Sequence, residues 1–393
     1  MRNAERDRAR IYLDHNATTP VDPAVLAAME PYLRELFGNP SSAETVEGSV
    51  AATAVERARE QVAASIGARP NEIVFTGSCT EADNIAILGV ARAHPDKRHL
   101  VTTKVEHSAV LGPARALERE GWRVTLLDVD ERGVVAPEAV ATAIGPDTCL
   151  VSVMGANNEV GALQPIRRIG EICAERGVLF HSDLAQRATY VAVDVERDGL
   201  HLASLSAHKA YGPKGIGALY VRSRRPRAKV APIMYGGGQE RGLRPGTVPT
   251  ALAVGMGEAF EIAGRTRPTE APRLRALCDL FRTRLRSSLD GVHLNGPEAD
   301  RLPNNLSLTI AGVEPYALIR HLADRCTFSA SSACGSTRVE TSHVLVAMFG
   351  DGPRARGAFR VAPGRFTGEA DVAAAAAWMV EAVGVLRGTA HAA

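Results

Sequence analysis

The sequence predicts an α/β protein, with a mixed, mostly parallel sheet in a large domain and a smaller α/β domain beside it. Three observations carry this. Short apolar, β-branched runs alternate with amphipathic helical stretches from about residue 70 to 260. One pair of runs is joined by a connection too short for a crossover helix. Past about residue 265 the alternation gives way to an Arg/Leu-rich helix and a looser mixture of elements. A chain of 393 residues, 45% apolar and 23% charged, has the length and composition for one large globular domain plus a small one. The expected division is 21–262 for the large domain, with 1–20 and 263–393 forming the small one.

Seven runs supply the strands of the large domain: 73–75, 100–103, 123–127, 149–154, 178–181, 202–205 and 217–221. Helix-like segments at 81–93, 137–144 and 166–176 fall between them, as in a parallel sheet covered on both faces. Only 206–216 separates the last two runs, so the final strand is expected to return antiparallel. In the small domain a helix at 272–289 leads to a strand at 306–310, a helix at 316–323, a strand near 359–361 and an Ala-rich closing helix at 370–386. The loop 327–341, rich in Ser, Ala and Gly, has little to hold it and is expected to be mobile.

A formal net charge of +2 creates no strong field toward nucleic acid or membrane, and no apolar stretch approaches the roughly 20 residues of a spanning helix. The clustered Arg222, Arg224, Arg225 and Arg227 read as a solvated turn. Residues 1–10 are highly charged and lack the apolar run of a signal peptide. The six cysteines, at 79, 149, 173, 278, 326 and 334, form no CxxC pair and no zinc-type Cys/His spacing. Neither a disulfide framework nor a metal site is expected, and a reducing cytoplasm fits. Only five of the 46 basic residues are Lys. A Lys inside a motif is therefore hard to dismiss as surface decoration, and Arg could not replace it as an amine nucleophile.

Polar residues gather where the predicted strands end, the place where open α/β sheets bind ligands. After 73–75 comes Thr76-Gly77-Ser78-Cys79-Thr80-Glu81, a small-residue turn opening a helix, suited to a phosphate but equally to a plain helix cap. The run 178–181 leads to Asp183, which could pair with a pyridinium nitrogen or cap a turn. Asn157-Asn158-Glu159 offers amide donors for a phenolic oxygen, or simply turn chemistry. The decisive segment follows 202–205: Ser206-Ala207-His208-Lys209-Ala210-Tyr211-Gly212-Pro213-Lys214-Gly215-Ile216-Gly217. Ser206 and His208 can donate to a phosphate while Lys209 reaches an aldehyde, the arrangement of a pyridoxal 5′-phosphate enzyme. A surface loop with two lysines is the bland alternative. Cys334 is unusual for another reason. It lies in a polar Ser-Ser-Ala-Cys-Gly-Ser-Thr loop with no core to fill, whereas Cys149 and Cys173 sit at apolar-periodic positions. Cys326, beside Arg325, is its weaker rival as a reactive thiolate.

These motifs closely resemble the cysteine desulfurases of the fold-type I, class V aminotransferase group, the NifS/IscS-like enzymes. The resemblance runs from Tyr12-Leu13-Asp14-His15-Asn16-Ala17-Thr18-Thr19-Pro20 to Gly364-Arg365-Phe366. It takes in Gly38-Asn39-Pro40-Ser41-Ser42, Glu106-His107, Asn157-Asn158-Glu159-Val160-Gly161, Gly236-Gly237-Gly238-Gln239-Glu240-Arg241 and Ser332-Ala333-Cys334. It implies a pyridoxal-phosphate transferase fold of type I, with the cofactor's Schiff base on Lys209, His107 stacked on the ring and Asp183 at the ring nitrogen. Asn158 and Gln186 would address the phenolic oxygen. Cys79, Thr80, Ser206 and His208 would hold the phosphate, completed by Thr247 from a second subunit of a homodimer. Arg365 would pair with the substrate carboxylate, assisted by Asn39.

The activity implied is removal of sulfur from L-cysteine, giving L-alanine and a persulfide on Cys334 for a sulfur-acceptor protein. His107 would assist by proton transfer. The acceptor is left open among iron–sulfur assembly, tRNA thiolation and DNA phosphorothioation, with no direct nucleic-acid or membrane contact. The chain departs from the family pattern at Gly77-Ser78-Cys79-Thr80, where Ser-Gly-Ala-Thr is usual, and at Glu44 and Thr45, near which a His is common. It departs again at Ser331, usually Gly, and at Pro363, usually Leu. A selenocysteine or cystine lyase of the same fold, or a weakly catalytic sulfur-delivery scaffold, is the rival reading.

Overall fold

A computed structural model of the chain describes residues 10–330 and 341–390. The main sheet has seven strands in the order Ile73–Thr76, Gly217–Val221, Leu202–Ser206, Leu179–Asp183, Thr148–Ser152, His99–Thr103, Arg123–Leu127. Every expected run forms a strand. Gly217–Val221 is antiparallel to both its neighbours, as the short 206–216 connection requires, and the remaining pairs are parallel. The other six strands therefore point the same way, and their carboxyl ends share one edge of the sheet.

Side-chain alternation sets the two faces. Val101, Val151, Ala203 and Leu205 join Phe75, Phe180 and Phe260 in one apolar cluster, while their neighbours Leu100, Leu150 and Leu202 join Ile85, Val90 and Leu219 in another. A period of two with apolar residues on both faces is the signature of a sheet buried by helices on each side. Helices Val46–Ser65 and Ile166–Arg176 cover the first face, and Cys79–Ala93 and Ser108–Arg119 the second.

A second, four-stranded antiparallel sheet is ordered Ser329–Ala330, Ala358–Val361, Leu306–Ile310, Val292–Asn295. Its cluster includes Leu274, Phe281, Leu308, Phe328, Phe359 and Met379. The N-terminal strand Ile11–Tyr12 pairs in parallel with Cys326–Thr327, which ties the start of the chain to this part of the fold.

The helix expected at 272–289 is the second half of one longer helix, Thr250–Ser288. Pro268 and Pro272 suggest a break, since each removes a helix hydrogen bond. External contacts hold the rod together across them. Arg267 donates to the carbonyls of Ala188 and Thr189, and Arg273 to those of Gly364, Arg365 and Thr367. Phe260 in its first half packs on the large sheet and Leu274 and Phe281 in its second half on the small one, so a boundary at 262 falls inside the helix.

Gly217 opens the antiparallel strand at the point where it passes the turn 77–80. A Cβ there would lie 2.6 Å from the Ser78 carbonyl carbon and 2.7 Å from both Cys79 N and Leu205 O. All three are backbone atoms that cannot swing away. Gly217→Ala is expected to cost about 1–3 kcal/mol by overpacking, read as a lower midpoint in chemical denaturation. A midpoint equal to the parent's would show that this approach is not tight.

Candidate active site

The carboxyl ends of the parallel strands open onto a cavity of about 460 Å³. Cys79, Thr80, His107, Asn158, Asp183, Gln186, Ser206, His208 and Lys209, expected from sequence, all line it. Asp14, Asn16, Asp83, Ser329 and Arg360 line it as well and were not singled out from sequence.

At one end the strand Ile73–Thr76 turns into helix Cys79–Ala93. Ser78 caps the helix by accepting from Glu81 N at 3.1 Å, and Glu81 accepts from Gly77 N at 2.8 Å and from Arg244 Nε at 2.9 Å. The turn is rigid, and its first-turn amides and dipole face the cavity end where Cys79 and Thr80 lie. Ser206 closes the strand Leu202–Ser206, two places along the sheet, and His208 Nδ1 pairs with Thr18 Oγ1 at 3.1 Å. Burial, with Lys209 and Lys214 nearby, pushes His208 down to about 4, so its ring is neutral.

Lys209 ends a short turn, Ala207–Lys209, and its Nζ donates to the carbonyls of Asn16 at 2.7 Å and Ala17 at 2.6 Å. Two residues on, Tyr211 is fully buried with φ at 63°, a left-handed conformation costly for a bulky side chain. Its amide donates to Thr19 Oγ1 at 3.0 Å, and its hydroxyl accepts from Arg365 N at 2.5 Å. The strained turn is thus pinned at both its backbone and its side chain.

Asp183 ends the next strand. Its Oδ1 accepts from Ala185 N at 2.9 Å and from the Cys79 thiol at 3.5 Å, and among the described residues its Oδ2 carries no hydrogen bond. A half-satisfied carboxylate on a cavity wall suits a cationic N–H, so the residues present fit the ring nitrogen of a pyridoxal phosphate, with the helix start for its phosphate and Lys209 for its aldehyde. Gln186 holds its amide against Asn16, whose carbonyl it meets at 2.8 Å.

His107 caps helix Ser108–Arg119, its Nδ1 accepting from Ala109 N at 3.1 Å. That bond needs a lone pair on Nδ1, so the ring proton sits on Nε2. Burial lowers this histidine, opposed by Asp183 and reinforced by Lys209 and His343, so the imidazole stays neutral. Neighbouring Glu106 is fully buried and pushed up to about 8 by desolvation, against hydrogen bonds from Met154 N and Thr103.

Three expected residues lie elsewhere. Arg365 is outside the cavity wall: its guanidinium bonds Asp22 at 2.8 Å and Glu270 at 3.3 Å and lies 4.3 Å from the Tyr211 ring centroid. Arg360 lines the cavity instead. Its Nη1 donates to Asn158 O at 2.8 Å and its Nη2 to Asp14 at 2.5 Å, while among the described residues the buried Nε has no partner. Its sequence signal was a charge inside an apolar strand, Phe359-Arg360-Val361. Asn39 is exposed and bonds Ser41 N, and Thr247 is exposed away from its own chain's cavity. Cys334 lies outside the described residues. The chain leaves for that segment from the cavity wall at Ser329 and Ala330 and returns at Ser342, bonded to Glu159, and His343, whose Nε2 meets Glu106 O at 2.9 Å. Cys326 is buried in the small-domain core, and desolvation pushes its thiol up to about 11 despite Arg325.

Residues 11–374 match the class-V aminotransferase family. The chain belongs to that family. It is 49% identical over 380 residues to the cysteine desulfurase IscS of Azotobacter vinelandii, spanning 96% of this chain and 93% of that one. A solved NifS-like protein superposes with a TM-score of 0.89 at 36% identity, covering 96% of this chain and all of that one. DndA from Streptomyces lividans superposes at 0.76 and 34% identity, over 88% and 98%. This member of the class-V family is therefore similar to such enzymes over most of its length.

The two arginines can be told apart. Arg360→Lys removes a planar donor from the cavity and is expected to lower kcat/KM for the substrate roughly 10- to 100-fold, as for a lost charge-assisted bond of about 1.5–3 kcal/mol. Arg365→Lys should instead lower thermal stability and leave KM nearly unchanged. Steady-state kinetics beside thermal melts check both, and the opposite assignment would restore Arg365 as the substrate's partner.

Proposed function

We propose that the chain is a cysteine desulfurase: with pyridoxal 5′-phosphate held on Lys209 it takes sulfur from L-cysteine, leaves L-alanine, and passes the sulfur on from Cys334. The observation that carries this is the meeting of Lys209, Asp183, His107 and Arg360 in one cavity, with the chain running from its wall at Ala330 toward Cys334. When bound, the cofactor supplies an electron sink that stabilises charge at the substrate α-carbon and weakens the bond from Cβ to sulfur.

The chain's own residues do the rest. Asp183 Oδ2 would hold the ring nitrogen. The turn Ser78–Thr80, with Ser206 and His208, would hold the phosphate. Arg360 would orient the substrate by its carboxylate. Lys209 Nζ would be the amine that takes the α-proton. His107, neutral and fixed by its cap, would offer Nε2–H as a donor on the cavity wall. Cys334 stands four residues beyond Ala330, within about 14 Å of it along an extended chain. Its thiolate attacks the substrate sulfur, so that a sulfur–sulfur bond forms as the carbon–sulfur bond breaks. Cys326, kept protonated by burial, does not compete.

Thr247 supports a C2 homodimer, because it is exposed in its own chain and free to complete a partner's phosphate site. Sedimentation should show a dimer, and a monomer with full cofactor affinity would remove this part of the reading. Among acceptors, the higher identity to IscS than to DndA favours iron–sulfur assembly over DNA phosphorothioation, with tRNA thiolation a further outlet. Among the described residues no helix is long and apolar enough to cross a membrane.

Two variants separate the halves of the mechanism. Lys209→Arg should lose the borohydride-reducible attachment, which in the parent maps to Lys209 and not Lys214, because a guanidinium cannot form it. Cys334→Ser should bind cofactor normally but accumulate no persulfide after cysteine addition, by mass spectrometry, while Cys326→Ser behaves as the parent. Persulfide retained in Cys334→Ser would show that the sulfur is taken up elsewhere.

A further inference from the structure

At the cavity wall lies a buried carboxyl group that the reaction above does not use. Asp83, on the first turns of helix Cys79–Ala93, is fully buried, and among the described residues neither of its oxygens makes a hydrogen bond of good geometry, the Ser204 hydroxyl giving at most a weak one. One donor atom each from Cys79, Asp83 and Asp183 lie within 4.8 Å of one another.

No cation balances this group. His181 Nε2 is 3.5 Å from Asp83 Oδ1, but that ring already bonds Ser152 through Nδ1 at 2.9 Å and Ser204 through Nε2 at 3.0 Å. Burial pushes His181 down to about 3, so it is neutral. The other acid facing the site, Glu106, adds only repulsion. A buried carboxylate with no donor and no counter-ion is costly, and two carboxyls this close share one proton.

We propose that Asp83 keeps that shared proton, so that Cys79, Asp83 and Asp183 carry a single negative charge, localised on Asp183 where the cofactor's ring nitrogen is read to bind. Asp83 is a positioning residue: it acts on the ring through Asp183. The inference rests on the reading of Asp183 as the ring-nitrogen partner. Desolvation, then Asp183, raise Asp83 well above the carboxylate range, with only weak opposition from the Ser204 hydroxyl. The Cys79 thiol is raised by burial and by both aspartates and stays protonated beside them.

The sign of the pH effect follows. A carboxyl raised in the folded state gives stability that is fully present below its unfolded value and is lost as pH rises through its folded one. Asp83→Asn, a neutral isostere, lacks that loss.

The test is infrared difference spectroscopy of the full-length holoenzyme. Asp83→Asn should remove one protonated-carboxyl carbonyl band, distinct from any due to Glu106 or Glu159. In Asp183→Asn the Asp83 band should vanish at lower pH than in the parent, because its repelling neighbour is gone. Thermal melts should show Asp83→Asn gaining on the parent as pH rises above the ordinary carboxylate range. No band lost in Asp83→Asn, an unmoved titration in Asp183→Asn, or a stoichiometric divalent metal held by the three residues would each overturn the proposal. If Asp83→Asn does not fold, the Asp183→Asn titration decides alone. Failure of the underlying reading looks different: the cofactor's visible absorbance would ignore Asp183→Asn while the infrared bands still behaved as stated.

Discussion

The site depends on the short N-terminal stretch from Asp14 to Thr19, which lies between the two sheets and bonds to both. Asp14 holds Arg360 from the small sheet, and His15 Nδ1 meets Ala362 O at 3.0 Å. Asn16 bonds Gln186 at 3.2 Å and Asn305 at 2.9 Å. The carbonyls of Asn16 and Ala17 seat Lys209, and Thr18 and Thr19 bond His208. Remove this strip and Lys209, Arg360 and His208 lose their common reference. Its polar side chains are largely buried because each finds a partner across the cleft.

The same economy of placement governs the buried charges. The Arg59 guanidinium forks onto Glu240, both Nη to carboxylate contacts at 2.8 Å, and the other face of Glu240 takes the amide of Phe75. Arg241 reaches Ile73 O at 2.9 Å, and Arg244 joins Glu81. The loop that presents Thr247 is therefore fastened to the strand and helix that form its own chain's phosphate turn. Buried pairs of this kind add little net stability after desolvation, but breaking one leaves a charge stranded, so they hold one geometry against its alternatives.

The seven strands and the antiparallel return were legible because period-two burial and connection length are local facts of sequence. So was the gathering of Lys209, Asp183, Asn158 and the 78–80 turn, since all follow strand ends. The arginine on the cavity wall was not. Arg360 and Arg365 lie five residues apart, and only the register of Ala358–Val361 beside Leu306–Ile310 and Ser329–Ala330 turns one into the cleft and leaves the other with Asp22 and Glu270. Asp83 was hidden for the opposite reason: on a helix its burial depends on Asp183, which is distant in sequence. The helix through Pro268 and Pro272 escaped notice because its support comes from arginine contacts that no local pattern records.

His107 has a consequence beyond orientation. Its Nδ1 lone pair is the cap of helix Ser108–Arg119, and a proton on that nitrogen would leave Ala109 N without an acceptor. The imidazole is thus a latch that closes only when uncharged. The protonation of the ring and the integrity of the first helical turn are one equilibrium, and acid that charges this side chain unfastens that stretch of the cavity wall.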